Sequence, residues 1–278
     1  MRPVGNAITL VGAVNRSTCM VDIVTAGTRM HGRIDIGTAG WSIPRVYADR
    51  FPPEGSQLDR YAHRLHAVEI NSSFYRPHRP STYARWAETV PEEFRFAVKV
   101  PREITHQRRL VEARDALERF LAEVSALGHK LGPLLIQLPP SLPFRAEVVR
   151  SFLADLCDRF AGVVVCEPRH DSWFAEDAED VLTRFQIARV AADPARVPRA
   201  ADPGGWTGLA YYRLHGSPRV YYSPYPPEYL DGLARQLASC AASGMPTWCI
   251  FDNTALGAVT ADALTVVDLL GARLGSSQ

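Results

Sequence analysis

From residue 34 onward, short apolar runs alternate with longer stretches in which apolar residues recur every three to four positions. Eight runs read as strands, at residues 34–38, 67–71, 94–100, 134–138, 163–167, 188–193, 209–215 and 247–253. Most are continuously apolar, as expected of parallel strands covered on both faces. Among the intervening segments, Ser56 is placed to cap a helix with Leu58, Tyr61, Ala62 and Leu65 on one face. Ser81 is placed to cap another that buries Tyr83, Trp86 and Ala87. A longer helix aligns Ala113, Leu117, Phe120, Leu121, Val124 and Leu127, with Gly128 and Gly132 to close it. Helical spacing returns over 148–160, 178–185, 229–242 and 261–274.

Eight strand–helix alternations without an internal repeat predict an α/β fold, a single closed (β/α)8 TIM-type barrel over residues 31–278. The connection from the sixth strand to the seventh, 194–208, is rich in Pro and Gly, so its helix is expected to be irregular or missing. A doubly wound open sheet is the competing architecture. It would carry a Gly-rich fingerprint after the first strand, which Gly37-Thr38-Ala39-Gly40-Trp41 matches poorly. Residues 1–30 read as a weakly ordered N-terminal extension.

Charge and cysteine content narrow the function classes. A formal net charge of +1 gives no global field to recruit nucleic acid or an acidic membrane, so nucleic acid is not the favoured partner. No apolar run reaches the ~18 residues of a membrane span. The five cysteines include no C-x-x-C pair and three lie in apolar runs, the pattern of reduced structural thiols in a cytoplasmic protein.

In parallel barrels the chemistry gathers at the C-terminal strand ends, and the two-residue period of a strand decides which side chains turn inward. Glu69 and Asn71 alternate with Val68 and Ile70; Lys99 follows Ala97; Gln137 pairs with Leu135; Glu167 pairs with Val165, with Arg169 just beyond. Tyr211, Arg213 and His215 share a face, the sixth strand ends in Asp193 and the eighth in Asp252-Asn253. A polar residue therefore arrives at one mouth from seven consecutive strands. Only two of the 31 Lys+Arg residues are lysines, Lys99 and Lys130. Where a charge alone is needed this chain uses arginine, so Lys99 inside a strand suggests a compact point charge or a tunable amine.

The segments 36–41, 68–75, 94–99, 104–106 and 131–140, followed by Glu167-Pro168-Arg169-His170, Trp173-Phe174, Arg213-Leu214-His215-Gly216 and Phe251-Asp252-Asn253-Thr254, resemble the YecE-like family, domain of unknown function 72. The resemblance covers roughly residues 34–270. It implies a (β/α)8-type barrel in a cytoplasmic protein and brings no activity with it. The family pattern more often has Phe-Asn-Asn at the eighth strand and Glu-Phe-Arg at the fifth, where this chain has Asp252 and Pro168.

The residues by themselves suggest an enzyme that holds a small anionic ligand, such as a sugar phosphate or nucleotide-like molecule, and performs hydrolase or isomerase acid/base chemistry. Glu69, Glu167 and His215 are the candidate catalytic groups. Lys99, Arg169 and Arg213 would hold the anion, and Asn71, Gln137, Asp193 and Asn253 would complete the binding site. No cofactor is called for. A divalent ion on Glu69, Glu167, Asp193 and His215 is conceivable, without H-x-x-E or paired-His spacing to support it. Two further readings stay open: a metal-dependent nucleic-acid-processing barrel, and a non-catalytic sensor or partner protein whose collar is a layer of salt bridges. The substrate and the oligomeric state have no signature in the sequence.

Overall fold

The computed structural model describes residues 32–275, so the expectation for residues 1–30 falls outside the described chain. Ten strands form one sheet: β1 (Ile34–Ala39), β2 (Ala67–Ile70), β3 (Arg95–Lys99), β4 (Leu131–Gln137), β5 (Val164–Glu167), β6 (Ile187–Arg189), β7 (Ala191–Asp193), β8 (Gly204–Gly205), β9 (Ala210–Leu214) and β10 (Thr247–Phe251). Their order is β7-β9-β10-β1-β2-β3-β4-β5-β6-β8, and every pairing is parallel except the short one between β6 and β8. The single run expected at 188–193 is thus divided at Val190 into β6, which pairs with β5, and β7, which pairs with β9. Because β6 and β7 are one residue apart, the two flanks of the sheet come together and the barrel is nearly closed.

Eight α-helices accompany the strands: α1 (Gln57–Ala62), α2 (Ser72–Tyr75), α3 (Pro80–Thr89), α4 (Arg114–Val124), α5 (Ala146–Arg159), α6 (Glu176–Arg184), α7 (Pro227–Ala242) and α8 (Ala258–Gly275). Between β7 and β9 there is only a 3-10 turn, Pro198–Ala201, and β8. Ser56 caps α1 by accepting a hydrogen bond from the Asp59 amide at 3.2 Å. The expected cap at Ser81 is corrected: α3 begins one residue earlier, on Pro80, whose fixed φ and missing N–H suit a first helical position. Trp86 and Ala87 are half-buried against the core rather than fully enclosed. Gly128 closes the turn after α4 at φ 58°, whereas Gly132 lies inside β4.

Strand alternation sorts the core into two layers. Val68, Ile70, Phe96, Val98, Leu134, Ile136, Tyr212, Leu214 and Phe251 face the helices. Ala67, Ala97, Leu135, Val165, Ala188, Val190, Tyr211, Trp248 and Ile250 fill the barrel interior. Small residues there make room for large ones: Tyr211 stacks on Trp248 with ring centroids 5.9 Å apart, and a Cβ on Gly132 would meet the Trp248 ring at 2.9 Å. Among the described residues no helix is long and apolar enough to cross a membrane.

Two glycine substitutions test this packing in opposite directions. A Cβ on Gly37 would sit 2.2 Å from the Ala67 carbonyl oxygen, whereas one on Gly271 of α8 meets nothing within 4 Å. Gly37→Ala is expected to lower stability by about 2–3 kcal/mol. Gly271→Ala is expected to raise it by about 0.5–1 kcal/mol, the ordinary gain of alanine over glycine in a helix. Urea unfolding midpoints measure both.

Candidate functional site

The interior-facing residues of β2, β3, β4, β5 and β9 become polar one step above the apolar layer, at Glu69, Lys99, Gln137, Glu167 and Arg213. Arg213 is the hub and is fully buried. Its Nη2 lies 2.6 Å from Glu69 Oε1 and its Nε donates to Glu69 Oε2 at 3.0 Å. Nη1 lies 2.5 Å from Glu167 Oε2, and Nη2 also reaches Asp252 Oδ2 at 3.1 Å. The Tyr211 hydroxyl donates to Glu69 at 3.0 Å, and Gln137 Nε2 donates to Glu167 at 3.1 Å.

His215 stands between two carboxylates, with Nδ1 3.0 Å from Asp252 Oδ2 and Nε2 3.0 Å from Glu167 Oε1. Arg169 closes the cluster, its Nε and Nη2 donating to Glu167 Oε1 at 2.8 and 2.5 Å, with Nη2 2.9 Å from His215 Nε2. Burial pushes the Glu167 carboxyl up, but Arg213, Arg169 and His215 outweigh it and hold it well below the usual carboxylate range. For Asp252 burial is likewise outweighed, chiefly by Arg213 and His215, and its pKa is lowered.

Lys99 has a different environment. It is 7% exposed, and its Nζ lies 4.3 Å from the centroid of the Phe74 ring, to which it makes a cation–π contact. No hydrogen bond or ion pair within the described residues reaches that nitrogen. Burial, then the neighbouring charge of Arg213, brings its pKa down from the ordinary lysine value to about 8. Phe74 also meets the edge of His106, 4.9 Å away by centroid. His106 is carried on a π-helical turn, Glu103–Gln107. Its pKa is lowered by burial and then by the positive charges of Lys99, Arg102 and Arg169.

Of the ten sequence-predicted site residues, Glu69, Lys99, Gln137, Glu167, Arg169, Arg213 and His215 form this one cluster. Asn71 follows at the end of β2, with its Oδ1 buried and unpartnered. Two placements are corrected. Asp193 lies opposite Leu214 in the β7–β9 ladder, on the helix-facing side, and accepts from the Tyr225 hydroxyl at 2.8 Å. Asn253 donates to Asp262 at 2.6 Å and to the Ser223 carbonyl at 3.0 Å, away from the collar. Its neighbour Asp252 occupies the interior position instead. The period-two rule carried on from Trp248 and Ile250 would have selected Asp252.

Of the candidate catalytic groups, the Glu69 and Glu167 carboxylates both close on Arg213. A surface cleft of 490 Å3 is lined by Ile34, Ile36, Ala238, Val267 and Leu270 beside α7 and α8, away from the cluster, and one of 360 Å3 by Ser73, Phe74, Arg102 and Glu103 among others. Among the described residues no group of three or more His, Cys, Asp and Glu side chains is arranged to hold a metal ion.

A model of the family described as "protein of unknown function DUF72" matches residues 35–277. The chain belongs to the DUF72 family. The UPF0759 protein YecE of Escherichia coli strain K12 is 32% identical over 176 residues, 61% of this chain and 62% of YecE. The DUF72 chain thus spans about three fifths of the length of that curated relative. A crystal structure of a DUF72 family protein from Thermotoga maritima superposes with a TM-score of 0.70 at 23% identity, covering 86% of this chain and 99% of the other. One from Enterococcus faecalis gives 0.70 at 21% identity, covering 86% and 96%. These likenesses establish a shared fold.

The Arg213 hub makes a specific demand on stability. Arg213→Met leaves the buried Glu69 without a bonded cation and takes one partner from Glu167 and from Asp252, at an expected cost of about 3–5 kcal/mol at pH 7.5. In the folded wild type Glu167 and Asp252 sit below their ordinary pKa values, so their contribution is present above the carboxylate range and is lost as pH falls through it. In the variant the carboxyls that lost a partner can take up protons as the pH falls. The stability difference should therefore narrow from pH 7.5 to pH 5, as read by chemical unfolding at each pH.

Proposed function

We propose that this DUF72 chain is a (β/α)8-type barrel, with β6, Val190 and β7 as one bent strand, that binds a small anionic ligand at its C-terminal mouth. The observation that carries this reading is Lys99, a largely buried side chain whose ammonium lies on the Phe74 ring and has no counter-ion contact among the described residues. A buried charge lacking a hydrogen-bonded partner is costly, and a phosphate or carboxylate group arriving from solvent would supply one. The buried, unpartnered Oδ1 of Asn71 offers an acceptor for a ligand hydroxyl. His215, oriented by Asp252, is the acid/base group this reading retains; Glu69 and Glu167 become the carboxylates that position Arg213 and Arg169. The thiols of Cys166, Cys240 and Cys249, none of them in a disulfide, are in keeping with a reducing, cytoplasmic setting.

A second reading, a non-catalytic sensor or partner protein, is favoured by the closure of Glu69, Glu167 and Asp252 on one guanidinium. The metal-dependent nucleic-acid reading draws no support from the geometry, because the positive charge among those carboxylates is Arg213 itself.

Sulfate, whose charge is constant near neutrality, is the test ligand. It should raise the thermal midpoint of the wild type, with an affinity that falls about tenfold as pH rises through 8 and Lys99 loses its proton. Lys99→Arg should keep binding and flatten the pH dependence, and Lys99→Met should abolish binding. Sulfate protection that is unchanged in Lys99→Met would sink the anion reading.

The same lysine should lower stability when no ligand is bound. Its folded-state pKa lies below the unfolded one, so the cost of its charge is fully present below pH 8 and disappears as pH approaches the ordinary lysine value. Lys99→Met should therefore stabilise the free protein at pH 7 by about 2–3 kcal/mol. That gain should shrink as pH is raised from 8 to 10.

A further inference from the structure

Every other ionisable group of the collar is engaged. Arg213 holds Glu69, Glu167 and Asp252, Arg169 holds Glu167, and His215 bridges Glu167 and Asp252. Lys99 alone presents a bare nitrogen, at the end of β3, against the face of Phe74. Its backbone is pinned, since its carbonyl accepts from Ser73 Oγ at 2.7 Å. The other lysine provides an internal contrast. Lys130 is just as buried, but its Nζ donates to the carbonyls of Ala87 at 2.8 Å and Val90 at 2.7 Å. One lysine nitrogen is thus tied to the backbone and the other is left open to a ligand.

We propose that Lys99 is an amine nucleophile that condenses with the aldehyde or ketone carbon of a ligand bearing a separate anionic group. The anionic group rests on the reading above. The carbonyl requirement is new. The nitrogen lone pair bonds to the carbonyl carbon while the C=O pair moves to oxygen, giving a carbinolamine. The two nitrogen protons then leave with that oxygen as water, and a C=N bond remains. Addition of water reverses the step, so no oxidant or reductant enters. Two features of the site favour it. Desolvation by burial and the neighbouring Arg213 guanidinium both disfavour the ammonium, against the cation–π attraction of Phe74, and a retained imine would be shielded by the same burial. With its pKa at about 8, roughly a quarter of the Lys99 amine is neutral at pH 7.5, against about a thousandth for an ordinary lysine.

Reductive trapping tests the proposal on the intact chain. The protein is incubated with glyoxylate, a small anionic aldehyde, and sodium cyanoborohydride, and carboxymethyl-lysine is mapped by mass spectrometry. With only two lysines in the sequence, assignment is direct. Lys99 should be modified about tenfold faster than free Nα-acetyl-lysine at pH 7.5, with Lys130 unmodified in the folded state. The rate should climb with pH and level off just above 8, and sulfate should slow it. Modification of Lys99 no faster than that of the free amino acid overturns the proposal, even if sulfate still stabilises the protein; the anion reading then survives without the imine. Fast modification by glyoxylate and by neutral acetaldehyde alike, unaffected by sulfate, supports the amine chemistry while removing the anion site.

Discussion

One buried guanidinium organises the mouth of this barrel. Arg213 rises from β9 into the interior, and three carboxylates from β2, β5 and the end of β10 point at it, the one cation that all three share. In a low-dielectric interior the desolvation of such ions can exceed their mutual attraction, and an apolar layer of equal volume is often as stable. The arrangement therefore has little justification as a source of stability. Its physical effect is positional. Each carboxylate is fixed by a directional, multiply bonded partner, and each in turn fixes something else: Glu167 fixes Arg169, and Asp252 fixes the imidazole of His215.

The position of Lys99 follows from that saturation. Glu69, Glu167 and Asp252 lie close enough to influence the ammonium, yet their oxygens are taken by Arg213, Arg169, Gln137, Tyr211 and His215. The collar supplies attraction at a distance and no contact. Desolvation and the like charge of Arg213 then prevail, and the amine is tuned toward neutrality. Had Lys99 faced one free carboxylate at bonding distance, it would be an ordinary ion pair. The same saturation bears on Glu167: a carboxyl held well below the usual range is a poor proton donor near neutrality.

Most of the barrel was legible because a two-residue period is a geometric necessity of a strand. Once Val68 and Ile70 are assigned to the helices, Glu69 has to turn inward, and the same logic places Lys99, Gln137, Glu167, Arg213 and His215. The failures occurred at strand ends, where the periodicity was not followed through. At β10 two polar residues stand together, and the alternation carried on from Trp248 and Ile250, in agreement with the register that sets Ile250 beside Arg213, selects Asp252 over Asn253. At β7 the break at Val190 obscures the parity of Asp193, which turns outward to Tyr225. Phe74 and His106 carry no strand pattern at all. Phe74 meets Lys99 from the short helix α2 and His106 meets Phe74 from a π-helical turn, geometries that a one-dimensional pattern does not encode, and π-type turns recur where side chains are re-aimed for function.

The two layers of the interior also explain why the chemistry can sit where it does. Below the collar, Ala67, Ala97 and Ala188 are small because Tyr211, Trp248 and Ile250 fill the axis, so the floor under the ions is dry and packed. A dry floor raises the cost of every unpaired charge above it, which is why the acids must converge on Arg213 and why the single lysine left out of that convergence loses so much basicity. Packing, ion pairing and amine tuning are therefore one constraint acting at three heights along the barrel axis. A wetter or looser interior would relax all three together, leaving Lys99 an ordinary surface-like ammonium and the mouth without its distinguishing chemistry.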